Sequence, residues 1–182
     1  MNYVEPIRDS NKVHEIANYL RKYSERNYIM FILGINSGLR ISDILSLRIR
    51  DVKGKEYISI REKKTGKQKI FPMTPILKRE IKKYCDEKDL DQFLIKSKKG
   101  YNRPIGRKQA YTILRDAGET LGLYNLGTHT LRKTFGYHFY MQYKDVVTLQ
   151  KIFNHSDPSI TLHYIGVEQS HINRMIKGFK IY

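Results

Sequence analysis

Apolar side chains recur every three to four residues through the N-terminal part of the chain, the spacing of a helix with one buried face. The run 28–36 (YIMFILGIN) is almost wholly apolar and stops at Ser37-Gly38, so it predicts a buried central helix. A shorter helix is expected over 40–47 (RISDILSL). The earliest helix follows a capping residue at Asp9 or Ser10, and its apolar face comprises Val13, Ile16, Ala17 and Leu20.

Between residues 48 and 73 the period of the pattern changes from helical to alternating, which is typical of strands. Glycine-lysine turns at 53–55 and 65–67 divide this segment. The pattern predicts a small antiparallel sheet of three strands, at Ile49–Val52, Tyr57–Arg61 and Lys69–Pro72.

Helical spacing resumes after Thr74, which is expected to cap a helix that carries Cys85 into the core. Further helices are predicted at 109–121, 131–143, 146–153 (capped by Asp145), in a short piece after Pro158, and near 168–176. The predicted fold class is therefore mainly α with a small three-stranded antiparallel β-sheet (α+β). The pattern contains no internal repeat and no clear interdomain linker, so residues 1–182 are interpreted as a single domain.

The charge of the chain favours a polyanionic partner. Lys and Arg total 34 against 18 Asp and Glu, a formal net charge of +16. An excess of this size is typical of nucleic-acid binding, although a ribosomal-type or merely solubilised protein is the alternative. A single cysteine fits a reducing compartment, and neither a membrane span nor a signal peptide is recognisable, so a cytoplasmic protein is expected.

Four short strings carry residues that chemistry could use: GLRISDILSL, REKKTGKQKIFP, HTLRKTF and NHSDPSITLHYI. Each also has a structural interpretation. Arg40 could form a surface ion pair with Asp43, His129 could cap a helix, and Tyr164 could belong to the core. The candidate residues in these strings, in chain order, are Arg40, Lys64, His129, Arg132, His155 and Tyr164.

Taken together, these side chains suit phosphoryl transfer without a metal. An arginine fork binds two phosphate oxygens at once, and a helix N-terminus favours the same anion. Histidine moves protons near neutral pH, and tyrosine can act as a nucleophile that forms a covalent phosphoester. Two cations on one phosphate would offset the charge that develops in the transition state.

The chain resembles the catalytic domain of the tyrosine recombinases, the phage integrase family. The resemblance lies in these six residues and in the strings SGLRISDILSL, KKTGKQKIFPM, THTLRKTF and LQKIFNHSDPSITLHYI. The resemblance covers nearly the whole chain. It departs at Asn154, where members often have glycine, and Asn tolerates the left-handed conformation that this turn needs. Most members also carry an N-terminal DNA-binding domain, which we do not expect here. The chain is then either a fragment or a single-domain recombinase like the fimbrial-switch invertases.

The resemblance implies that Tyr164 attacks a DNA phosphate and forms a 3′-phosphotyrosyl link. Arg40 and Arg132 would hold the nonbridging oxygens, and Lys64 would protonate the leaving 5′-oxygen. His129 would take the tyrosine's proton or hold the phosphate, and His155 would donate a hydrogen bond to it. Asp43 is expected to orient Arg40. Further DNA contacts are expected from Lys63, Lys67, Lys69, Arg103 and Arg107.

The resemblance also implies the assembly and the cofactor requirement. Double-stranded DNA is the expected partner, in a homotetramer on paired sites, with no metal, small-molecule cofactor or membrane involved. The C-terminal segment is the candidate for subunit contact, although its apolar residues could instead complete the core: Ile172, Met175, Ile176 and Phe179. Two alternative functions stay open, a type IB topoisomerase and a non-catalytic DNA-binding regulator with the same fold.

Overall fold

The computed structural model describes residues 4–61, 66, 68–167 and 176–180. Within these ranges the chain is mostly helical, with one small sheet. The helices are α1 (Ser10–Tyr23), α2 (Glu25–Ser37), α3 (Ile41–Ile44), α4 (Pro75–Cys85), α5 (Arg107–Thr120), α6 (Thr128–Tyr143), α7 (Val146–Phe153) and α8 (Pro158–Tyr164). The strands are β1 (Tyr57–Arg61) and β2 (Gln68–Pro72). The mainly α fold with a small antiparallel sheet is confirmed.

Helix α2 is the centre of the fold, as its continuous apolar run predicts. Its residues from Tyr28 to Gly34 are all buried, and it packs against α1, α4 and α6. A Cβ on Gly34 would lie 2.6 Å from the Leu131 side chain, so the glycine allows α6 to approach the α2 backbone closely. This approach matters for function because α6 carries two of the candidate site residues.

The prediction of a third strand at Ile49–Val52 is wrong, since this segment of the described chain is not a strand. Residues Ile49–Asp51 form a 3₁₀ turn, in which the Asp51 carboxylate accepts a hydrogen bond from the Arg48 N–H at 2.7 Å. Ile49 and Val52 are both fully buried. Over four residues an i, i+3 apolar pair suits a turn as well as a strand, and the aspartate cap favours the turn. Strands β1 and β2 pair antiparallel, with Ser59 opposite Ile70.

The other predicted elements are largely confirmed. Asp9, Thr74 and Asp145 each cap the helix that follows them, and Cys85 is fully buried. Helices α5 and α6 begin two to three residues earlier than the apolar pattern indicates, because their first turns are polar. Most of the helix expected at 168–176 lies outside the described residues. No helix in the described ranges is long and apolar enough to span a membrane.

A second, smaller apolar cluster holds the C-terminal helices against α6. Leu149, Phe153 and Ile165 are its fully buried members. Gly136 of α6 faces this cluster, and a Cβ there would lie 2.6 Å from Ile165 Cγ2 and 2.8 Å from the Phe153 ring. The absence of a side chain at residue 136 therefore sets how closely α7 and α8 approach α6.

Replacing Gly136 with alanine is expected to lower the free energy of unfolding by about 1–2 kcal/mol. Overpacking costs up to ~3 kcal/mol, which exceeds the ~1 kcal/mol that alanine gains in helix propensity. Urea denaturation measures the difference. The matched control is Gly178→Ala, where nothing lies within 4 Å of the added Cβ and the change should stay within about 0.5 kcal/mol. Equal midpoints for the two variants would contradict the close approach.

Candidate active site

The first candidate arginine is positioned by the end of α2. Gly38 ends that helix in the left-handed conformation, with φ 63°, and a Cβ there would lie 2.5 Å from the Phe135 ring. Only glycine meets both constraints easily. The chain then turns, and Arg40 becomes the residue before the first turn of α3. The glycine thus brings Arg40 to the end of α2 that α6 contacts.

The N-terminus of α6 contributes His129 and Arg132. Gly127 precedes the helix, and its N–H donates to Thr130 Oγ1 at 3.0 Å, which fixes the first turn. His129 and Arg132 lie three residues apart, so they share one side of the helix. Both line the cavity described below.

The Arg132 guanidinium is buried, with 3% of the residue exposed. Its Nη1 donates to the Gly38 carbonyl at 2.6 Å and its Nη2 to the Phe153 carbonyl at 2.8 Å. The guanidinium also lies over the Phe153 ring, 4.2 Å from the centroid. One side chain therefore joins the ends of α2 and α7 to α6.

His155 is positioned by the end of α7. Asn154 ends that helix in the left-handed conformation, with φ 53°, as its side-chain type predicts. The His155 Nδ1 lies 2.9 Å from Thr161 Oγ1, and its carbonyl accepts from Gln150 Nε2 at 3.1 Å. The backbone of His155 is thereby tied to α7 and its imidazole to α8.

Tyr164 lies at the end of α8 with its ring between two aromatic neighbours. The ring centroid is 5.6 Å from that of Phe153 and 5.3 Å from that of His155, both edge to face. The Tyr164 hydroxyl is 3.3 Å from His129 Nδ1. Burial raises the pKa of this phenol, while Arg132 and Arg40 act to lower the pKa, Arg132 also through a hydrogen bond. The hydroxyl is thus held protonated next to groups that favour its anion.

A cavity of about 960 Å³ opens next to this cluster. Arg40, His129 and Arg132 line it, together with Arg48 and Arg107, and no acidic side chain does so among the described residues. Helices α5 and α6 both begin at this cavity after a glycine that offers no capping side chain. Two helix N-termini and several arginines at one cavity make it suited to phosphate groups. In the described ranges no three potential metal ligands lie together.

Not all residues that the sequence singles out lie in this cluster. Lys69 donates to the Ile152 carbonyl at 2.5 Å and lines a separate cavity of about 680 Å³. Arg103 is exposed outside the lining of the arginine-rich cavity. Asp43 is 1% exposed, so it is a buried carboxylate and not a member of a surface ion pair. Three predicted residues lie outside the described ranges, namely Lys63, Lys64 and Lys67.

Two cationic residues next to the cluster were missed by the sequence analysis. Arg48 lines the cavity, and its guanidinium lies 4.4 Å from the Phe93 centroid. Lys133 lies next to Arg132, and its Nζ is 5.3 Å from the centroid of the Tyr164 ring. Lys133 belongs to the string HTLRKTF, which the sequence analysis singled out. Its proximity to Tyr164 could not be predicted, because it depends on how α8 packs.

Comparison with known proteins agrees with this geometry. The family model described as the phage integrase family matches residues 8–171. A "Probable integrase/recombinase YoeC" of Bacillus subtilis (strain 168) is 46% identical over 179 residues, covering 98% of both chains. The tyrosine recombinase XerA of Pyrococcus horikoshii is 27% identical over 173 residues, which are 93% of this chain and 59% of that protein.

Solved structures give the same fold. The crystal structure of a XerA recombinase superposes with a TM-score of 0.77 at 17% identity, over 100% of this chain and 66% of that one. The XerH site-specific recombinase bound to its palindromic difH substrate, a post-cleavage complex, has a TM-score of 0.73 at 17% identity, over 97% of this chain and 54% of that one. The chain spans only part of these structures.

The fold and the site define the class of the protein as a tyrosine recombinase. The chain belongs to the phage integrase family.

Replacing Arg132 with lysine is expected to lower the free energy of unfolding by about 1–3 kcal/mol. A lysine cannot serve the carbonyls of Gly38 and Phe153 together, so one buried acceptor loses its donor. The matched control is Arg115→Lys, an exposed arginine paired with the neighbouring Asp116, whose change should stay within about 0.5 kcal/mol. Urea denaturation compares the two, and an unchanged midpoint for Arg132→Lys would show that its two hydrogen bonds do not stabilise the fold.

Proposed function

We propose that the protein is a site-specific DNA recombinase that cleaves and rejoins DNA through a covalent 3′-phosphotyrosyl intermediate. One observation carries the proposal: the hydroxyl of Tyr164 lies 3.3 Å from Nδ1 of His129, a residue that lines a cavity together with Arg40 and Arg132. A nucleophile beside a base and next to a cationic cavity is the arrangement that phosphoryl transfer requires.

The roles of the side chains follow from their chemistry. The Tyr164 oxygen attacks the scissile phosphorus, a new P–O bond forms, and the bond to the 5′-oxygen breaks. His129 accepts the phenol proton across the 3.3 Å contact. Arg40 and Arg132 bind the nonbridging oxygens, where their charge offsets the negative charge of the transition state. His155, held by Thr161, donates a hydrogen bond to the same phosphate.

The leaving 5′-oxygen needs a proton, and we assign its donation to Lys64. This assignment rests on the resemblance and on the sequence position of Lys64, between β1 and β2. Asp43 is assigned a supporting role near Arg40, since it lies buried in the helix that Arg40 begins. The ester bond keeps the energy of the cleaved phosphodiester, so rejoining by the reverse reaction needs neither a metal nor a nucleotide cofactor.

Double-stranded DNA is the proposed substrate. The net charge of +16 and the absence of acidic side chains in the described lining of the cavity both favour a polyanion. The XerH recombinase of similar fold is bound to its difH substrate in that structure.

Strand exchange between two duplexes would need four copies of the site, so we propose a homotetramer on paired DNA sites, in which this chain supplies the catalytic domain. Arg107 is proposed to contact the DNA backbone from the cavity.

The proposal is tested by covalent capture. Purified protein is incubated with fragmented DNA from the organism that carries its gene and with a library of nicked duplexes. Complexes that survive denaturation are then collected, and their DNA is sequenced. The wild type is expected to yield a protein–DNA adduct at a defined sequence, and peptide mapping should locate the link at Tyr164. Tyr164→Phe removes only the hydroxyl, so it should form no adduct while binding DNA with similar affinity.

The matched control for this experiment is Tyr143→Phe, which alters an exposed tyrosine outside the cluster and should leave the adduct unchanged. A link that maps to Tyr140 or Tyr143 would refute the assignment of the nucleophile. Specific binding without any adduct would favour a regulator over a recombinase. Relaxation of supercoiled plasmid without strand exchange would instead favour a topoisomerase.

The role of Lys64 is tested with a leaving group that needs no acid. The conjugate acid of the 5′-alkoxide has a pKa near that of water, far above the pKa of a thiol, which is about 8.5. Lys64→Ala should slow cleavage of ordinary DNA by ~10²–10⁴-fold. The same variant should cleave DNA with a 5′-bridging sulfur almost as fast as wild type.

Arg132→Ala is the control for this rescue, because its side chain acts on the nonbridging oxygens and sulfur should not restore its rate. If Lys64→Ala is equally slow on both substrates, the lysine does not act as the acid. A rescue seen only with Lys63→Ala or Lys67→Ala would transfer the role to that neighbour.

A further inference from the structure

A buried lysine lies against the proposed nucleophile and has no role in the mechanism above. Lys133 is 9% exposed, and its Nζ lies 5.3 Å from the centroid of the Tyr164 ring. Its neighbour Arg132 lines the arginine-rich cavity, whereas Lys133 is not among the described residues of that lining. The ammonium group therefore lies near Tyr164 but outside the described lining of that cavity.

The N-terminal segment, residues 4–9, lies beside this lysine. The Ile7 N–H donates to Thr134 Oγ1 at 2.9 Å, so the segment runs along α6 next to Lys133. Glu5 and Arg8 form an ion pair at 2.5 Å, and Arg8 Nη2 also contacts the Gly166 carbonyl at 3.4 Å. The segment thereby reaches from α6 to the residues just after Tyr164.

The electrostatic surroundings of Lys133 do not remove the penalty of its burial. Burial lowers the pKa of the ammonium, Glu5 acts to raise the pKa, and Arg8 acts to lower it. Burying a cation is unfavourable unless its surroundings compensate for lost hydration. The Tyr164 ring offers part of that compensation, since an aromatic face attracts a cation, and more strongly where water is excluded.

We propose that Lys133 is an electrostatic positioning residue for Tyr164, whose ammonium holds the tyrosine ring and favours the phenolate as the nucleophile loses its proton. The inference rests on the proposed function only in that the phenolate is taken to attack DNA. The effect of Lys133 on the pKa of Tyr164 is a property of the protein without DNA. A positive charge beside the ring stabilises the anion more than the neutral phenol.

Lys133 differs from the arginines in what happens when DNA binds. Arg40 and Arg132 face the cavity, so a bound phosphate would neutralise part of their effect on the phenol. Lys133 lies outside that cavity, and its charge still acts on Tyr164 once the phosphate is in place. Among the residues that the structure describes, the charged or titratable groups near the tyrosine or the lysine include Glu5, Arg8, Arg40, His129, Arg132 and His155.

The proposal is tested without a DNA target by titrating Tyr164 directly. Protein is prepared with isotope-labelled tyrosine, and the Cζ NMR resonance of Tyr164 is identified by its loss in Tyr164→Phe. Each variant is followed from neutral to strongly alkaline pH, with circular dichroism confirming that it stays folded. Lys133→Met should move the Tyr164 midpoint to higher pH, because the phenolate loses a nearby cation. Lys133→Arg keeps the charge and should restore a midpoint near the wild-type value.

The matched control is Lys144→Met. Lys144 also lies 5.3 Å from a tyrosine centroid, that of Tyr140, but it is exposed, and its loss should leave Tyr164 unchanged. If Lys133→Met does not fold, Lys133→Gln also removes the charge and answers the same question. A Tyr164 midpoint that is the same in the wild type and the neutral variants would overturn the proposal.

Cleavage of the captured DNA target gives a second readout. Lys133→Met should cleave about tenfold more slowly at neutral pH, the size expected for a desolvated cation–ring contact, and recover as pH rises. Lys133→Arg should cleave at close to the wild-type rate. A rate loss without any change in the pH profile would mean that the lysine only packs, and would also overturn the proposal. If no DNA is cleaved by the wild type, the proposed function fails while the titration still decides the role of Lys133.

Discussion

The buried guanidinium of Arg132 is the interaction on which the site depends. It donates to the Gly38 carbonyl at the end of α2 and to the Phe153 carbonyl at the end of α7, and its own helix supplies His129. Three helix ends therefore meet at one planar, permanently charged group. Arginine suits this position because its five donors serve fixed directions and its charge persists on burial. The same group acts to lower the pKa of Tyr164, so one side chain serves both the fold and the proposed chemistry.

The site balances two opposing electrostatic effects around Tyr164. Burial raises the pKa of the phenol and so favours its neutral form, whereas Arg132 and Arg40 favour the anion. Both arginines line the cavity, so a phosphate bound there would change their effect on Tyr164. Lys133 lies outside the described lining, and under the proposal above its charge would keep acting on Tyr164 once a phosphate is bound.

The sequence predicts the local elements well where one physical signal dominates. Gly38 marks the end of α2, Asn154 adopts the left-handed conformation, and His129 and Arg132 begin one helix as their spacing indicates. It fails at Ile49–Val52, where four residues are too few to separate a turn from a strand. Asp51 could have indicated the turn, because a carboxylate that caps its own turn competes with strand pairing.

The parts of the site that the sequence could not predict are those set by packing between distant segments. Whether Asp43 faces solvent or the core depends on how α3 packs, and the pattern of α3 alone allows both. Arg48 lies shortly after α3 in the chain, and it lines the cavity together with residues of α3. In the sequence, Lys133 does not differ from the other lysines of a basic chain. It lies near Tyr164 because α8 packs close to α6.

Tyr164, the proposed nucleophile, is held by a small part of the core. The main apolar cluster extends through the helices around α2, whereas α7 and α8 rest on three fully buried apolar residues and on polar contacts. Segments with few buried apolar contacts open at lower free energy than the rest of a domain. The Arg132 and His155 hydrogen bonds and the contact of Arg8 with the Gly166 carbonyl therefore contribute a larger share of the stability at α8 than elsewhere.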